Sequence, residues 1–112
     1  MGLRSRRKGA AWERELVRRF RAEFPGRDIH RGAQARGGVE APDVDVPGLW
    51  LEAKHGQKVN LRAALAQSLR DASPGRMPIA VCKDDRAEPV VILRLEDFIT
   101  LWCGRGPGSV TP

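Results

Sequence analysis

At 112 residues the chain is too short for two hydrophobic cores, so a single domain is expected. Apolar content of 41% fits a folded protein, and a net charge of +6 with a pI near 10.3 suits a phosphate-rich partner. Sixteen of the twenty basic residues are Arg, which bonds phosphate in a bidentate fork; GC-rich coding, which raises Arg, Ala, Gly and Pro together, would give the same excess. Cys82 and Cys103 have no metal-ligand spacing and make no disulfide framework, which suits a reduced, cytoplasmic location. The N-terminus lacks the apolar run of a signal peptide and no stretch approaches membrane-spanning length, so no membrane partner is expected.

Residues 1–8 are basic and aperiodic and read as a flexible arm, ending at Lys8, that either adds solubility or tracks a nucleic-acid backbone. Residues 9–24 read as a helix. Trp12, Leu16, Val17, Phe20 and Phe24 form its apolar stripe, while Glu15 points to solvent with Arg18 and Arg19. Glu13 falls near the middle of the stripe, where a carboxylate needs compensation. Either a position near the helix N-terminus supplies it, or Glu13 reaches an acidic site on the neighbouring strands. Pro25-Gly26 ends the helix, and residues 28–31 make a short strand. Residues 32–40 form a Gly-rich loop beside which Arg31 and Arg36 are candidates for phosphate contacts.

Residues 41–55 organise the rest, as two strands around Pro47-Gly48. Alternation puts Val44, Val46, Leu49, Leu51 and Ala53 on one face and Asp43, Asp45, Trp50, Glu52 and Lys54 on the other. Because Pro cannot adopt the positive φ that tight hairpins favour, a four-residue loop over 46–49 is expected. Asp43 then faces Glu52 with Cβ atoms about 5 Å apart. Two carboxylates that close repel unless a hard divalent cation lies between them. Asn60 is a candidate N-cap for a second helix over 61–72, whose stripe is Leu61, Leu65, Leu69 and Ala72 with Ala64 and Ser68. Residues 78–83 and 89–95 read as inner strands, 95–103 as a final helix with Phe98, Ile99, Leu101 and Trp102 apolar, and 104–112 as a disordered tail. The expected fold class is α/β, a mixed central sheet flanked by helices. No Ser-His or Cys-His pair suggests a nucleophile, and His30 and His55 read as a loop residue and a backbone contact.

Pro42-Asp43 on one strand and Glu52-Ala53-Lys54 on the next resemble the signature of the PD-(D/E)XK nuclease superfamily, with its restriction-endonuclease-like core. Lys8 to Val17, K-G-A-A-W-E-R-E-L-V, is similar to the opening helix of archaeal-type Holliday junction resolvases and their phage relatives. The resemblance spans roughly residues 6–95. It implies that Glu13, Asp43, Glu52 and Lys54 are catalytic. It also implies that Asp43, Glu52, the Ala53 carbonyl and Glu13 hold Mg²⁺, with Mn²⁺ able to substitute. Lys8, Arg14, Arg31 and Arg36 would contact DNA. A homodimer making paired nicks in four-way junctions would follow. Asp45 is a further acid on the same face. The alternatives are a same-fold nicking or repair nuclease with another DNA substrate, and a basic DNA-binding module without catalysis.

Overall fold

A computed structural model describes residues 3–32 and 41–104. Arg36, most of the Gly-rich loop and the tail beyond Gly104 lie outside the described residues. The elements in order are α1 (Leu3–Glu23), β1 (His30–Arg31), β2 (Val44–Val46), β3 (Leu49–Gly56), α2 (Leu61–Asp71), β4 (Met77–Asp84), β5 (Val90–Ile92) and α3 (Leu95–Trp102). The strands form one five-stranded sheet in the order β1-β2-β3-β4-β5. Only β3 and β4 run parallel; the other neighbours are antiparallel. The architecture is α/β, a mixed sheet flanked by helices.

The hairpin forms by the local chemistry of Pro47-Gly48. Val46 pairs with Leu49, Asp45 with Trp50 and Val44 with Leu51, so the loop has two residues, not the four expected. Gly48 takes φ 87°, and Pro supplies the preceding φ near −65°; that is a type II turn, which asks for positive φ only where glycine stands. The face assignment follows. Val44, Val46, Leu51 and Ala53 enter the main core with Leu49 packed against it, together with Trp12, Leu16 and Val17 of α1 and Met77, Ile79 and Val81 of β4. Val44 and Leu51 are fully buried, and each contributes about 1.5–3 kcal/mol by leaving water.

Helix α1 begins earlier than expected. Residues 3–8, read as an arm, are helical, because Lys and Arg are good helix formers and no proline intervenes. Glu13 is therefore well inside the helix, which removes its N-terminal position as an explanation. Phe24 falls just beyond the helix end and is 43% exposed. In α2 the Asn60 side chain accepts the Ala63 amide at 3.0 Å, the expected N-cap. Its buried residues are Ala64, Leu65 and Ser68, so the stripe is centred on the small residues while Leu61 and Leu69 stay partly exposed. Ser68 Oγ donates to the Trp50 carbonyl at 3.0 Å, tying α2 to β3. Ala64 packs with Ala80 and Cys82, so α2 covers the other face of the sheet. The 89–95 run was expected as an inner strand. It is instead a short edge strand, β5, pairing only β4, with Val90 and Val91 45% and 56% exposed.

Candidate active site and basic groove

The β2–β3 ladder stops at Asp43. Asp43 lies one position before β2, and its backbone turns off register there. Its N–H donates to the Leu51 carbonyl at 3.0 Å, one residue short of Glu52, so the expected facing pair is offset. The side chain fills the gap: Asp43 Oδ2 accepts the Ala53 N–H at 2.9 Å. That amide sits between Glu52 and Lys54, so the Asp43 carboxylate is fixed against the Glu-X-Lys segment. Gly32 holds the other side. Its N–H donates to the Asp43 carbonyl at 3.0 Å, and a Cβ at this position would overlap the Pro42 carbonyl oxygen. Only glycine lets the end of β1 approach so closely.

Burial raises the Asp43 carboxyl above the usual carboxylate range. The Ala53 amide and the positive charges of Lys54 and Arg31 pull it back without cancelling the effect. Glu52 is 3% exposed. Lys54 lies beside Cys82 of β4 in the parallel register, and its charge lowers a Cys82 thiol that burial drives up. The Asp43 and Glu52 carboxylates and the Ala53 carbonyl are hard oxygen donors of the kind Mg²⁺ takes, and Mg²⁺ usually keeps several waters besides. By donor type alone they suit such an ion. Among the described residues no group of three or more His, Cys, Asp or Glu side chains comes together to hold a metal.

Glu13 stands apart from those two acids. Its carboxylate accepts Arg31 Nε at 3.1 Å and an Arg31 terminal nitrogen at 2.9 Å. Arg31 in turn lies close enough to Asp43 to lower its pKa, so Arg31 stands between the α1 acid and the strand acid. Asp45 is also engaged, by Arg76 at 2.9 Å and by His30 Nε2 at 3.8 Å. Arg76 donates to the Leu49 carbonyl as well, at 3.0 Å, which makes it a clamp on the hairpin. Nothing local in the sequence flags it, since it lies 31 residues from Asp45. His30 is a strand residue, not a loop residue. His55 contacts side chains: Nε2 lies 3.2 Å from Asp85, and its ring centroid lies 6.0 Å from that of Trp12.

Arg14, Val17, Arg18, Arg21 and Arg31 line a shallow cavity of about 470 Å³. The spacing of residues 14, 18 and 21 puts three arginines on one helix face, and that i, i+4, i+7 pattern could have been read from the sequence. Arg14 is exposed. Arg18 and Arg19 both donate to Glu15, holding its carboxyl down at about 2. Arg21 donates to the Ile29 carbonyl at 2.7 Å. Lys8, expected to contact DNA, bonds both oxygens of Asp85 at 3.1 Å. No described helix is long and apolar enough to cross a membrane. The chain matches no protein-family model and no curated protein sequence.

Proposed function

We propose that the chain is a metal-dependent endodeoxyribonuclease of the PD-(D/E)XK kind, resembling Holliday junction resolvases and cutting branched DNA by paired nicks. The observation that carries this reading is the Asp43 carboxylate bonded to the amide between Glu52 and Lys54, at the frayed end of a central hairpin. That bond sets the half-buried Asp43 against the backbone next to the buried Glu52, with the Lys54 charge acting on it. These residues suit a site that receives a cation and a phosphate.

Asp43, Glu52 and the Ala53 carbonyl would hold Mg²⁺. When bound, the ion would neutralise phosphate charge and lower the pKa of a water. Lys54, whose charge acts on Asp43, would stabilise charge developing on the phosphoryl oxygens. Arg14 and Arg18 would hold the backbone on the α1 side. Glu13 enters through Arg31, which it orients toward Asp43.

A second reading, a basic DNA-binding module without catalysis, draws on the basic cavity of α1 and on the absence of a third acid beside Asp43 and Glu52 among the described residues. One experiment separates the two. A labelled four-way junction and a linear duplex of the same sequence are incubated with Mg²⁺ or EDTA, with wild type and Asp43→Asn. Paired symmetric nicks on the junction alone, lost in EDTA and in the variant, are expected. Equal cutting of the duplex keeps the nuclease and removes junction selectivity. Binding without cleavage under any divalent metal leaves the DNA-binding module.

A further inference from the structure

Helix α3 buries none of its residues; it walls a slot instead. Phe20 and Phe24 on one side and Phe98 and Leu101 on the other enclose an apolar slot of about 570 Å³, with Met77 and Ile79 of β4 on its floor. Phe24, Phe98 and Leu101 are 43%, 47% and 37% exposed, so the walls present apolar side chains to water. The volume lies within the roughly 300–1,000 Å³ of pockets that take small ligands, which are mostly apolar with a few placed polar groups.

Here the polar group is single. Arg27 apart, every described residue that lines the slot is apolar. Its guanidinium is a permanent cation, and among the described residues it bonds no acceptor. By contrast Arg18, Arg21, Arg31, Arg76 and Arg94 all donate to oxygens of the protein. Arg27 is thus a cation held at an apolar slot with its donors available.

That lining narrows the ligand. A sugar, a nucleotide or a DNA strand would leave polar groups unpaired against the apolar walls, at a cost for each. A purely apolar molecule would gain nothing from Arg27. A molecule with an alkyl body and one terminal carboxylate uses both features. Its chain covers the walls, and its carboxylate takes the guanidinium in a two-bond fork. We propose that the slot is a binding site for such a carboxylate, of the straight-chain fatty acid type, with the tail between Phe24 and Phe98 and the head on Arg27. No residue of the slot belongs to the candidate metal site or to the arginine cavity of α1, so the proposal is independent of nuclease activity.

Decanoate, decanol and decylammonium share one tail and differ in the head, which makes them the probes. Each is titrated below its micelle concentration into the full isotope-labelled chain, with backbone amide and arginine Nε–H shifts followed by NMR. Decanoate is expected to saturate, shifting the amides of Ile79, Phe98 and Leu101 and the Nε–H of Arg27. It should bind about fivefold more tightly than decanol, the effect of one charge-assisted bond at an exposed arginine, and decylammonium should bind weakest. Arg27→Gln should bring decanoate to the level of decanol and leave decanol unchanged. Leu101→Trp, which fills the slot, should abolish both. Should that variant lose the dispersed spectrum of the folded chain, Val91→Trp on the exposed edge strand replaces it. Equal wild-type affinity for decanoate and decanol overturns the proposal. So does decanoate that shifts the arginines of α1 in place of Arg27. The absence of saturable binding overturns it as well, whatever else covers the slot. Cleavage is not read, so the outcome is separable from the functional assay.

Discussion

The Asp43 carboxylate takes the Ala53 amide at 2.9 Å, replacing the backbone acceptor that a continued ladder would have supplied. This relationship sets the position of the acid and loads it with a burial cost that Lys54 and Arg31 only partly offset. An acid whose pKa is raised by folding is less stable ionised in the fold than in water. Asp43→Asn keeps an acceptor for the amide and removes the charge. In EDTA the variant is expected to melt a few degrees above wild type, at roughly 4 °C per kcal/mol for a domain near this size. Mg²⁺-dependent cleavage should be lost in the same protein. Calorimetry at neutral pH decides the first half, and a lower melting temperature would contradict the burial account.

The arginines along α1 should act on affinity with no preference for sequence. Arg14 and Arg18 line the same cavity as Arg31, and each phosphate contact removed lowers the salt dependence of duplex binding by about 0.9 in log–log slope. Arg14→Ala should reduce the slope by about 1, and Arg14→Ala with Arg18→Ala by about 2. Fluorescence anisotropy of a labelled duplex over a salt series measures this directly. An unchanged slope in the double variant would place the DNA elsewhere on the molecule.

His55 should make the fold acid-sensitive. Burial lowers its pKa from the ordinary 6.5, Lys83 and Lys8 lower it further, and Asp85 opposes them. With the folded value below the unfolded one, the unfolded chain binds the extra proton. The contribution is therefore complete above pH 6.5 and is lost as pH falls toward the folded pKa. Asp85, whose pKa is lowered chiefly by its bond to Lys8, adds a loss of the same sign only below its ordinary 3.8. Urea unfolding across pH 6.5 should show stability falling on acidification in wild type and a flatter profile in His55→Gln. Equal slopes would remove His55 from the account.

The sequence by itself determined the hairpin's two faces, because strand alternation is local and strict. All five aliphatic residues assigned inward by alternation pack in or against the main core. The Asn60 cap was legible for the same reason, since its partner amide is three residues away. The turn is shorter than the expected four-residue loop because the φ preferences of Pro47-Gly48 specify type II, outside the commonest hairpin turns.

What only the tertiary structure decided are the pairings of distant residues. Lys8 meets Asp85 across 77 positions, Arg76 reaches Asp45 across 31, and Arg31 takes Glu13 across 18. Each depends on which strands become neighbours and on how far α1 extends, and hydrophobic periodicity encodes neither. The same holds for α3. Its amphipathic stripe is plain in the sequence, but that the stripe faces outward follows from β5 closing the sheet as an edge, leaving no further layer among the described residues to cover it.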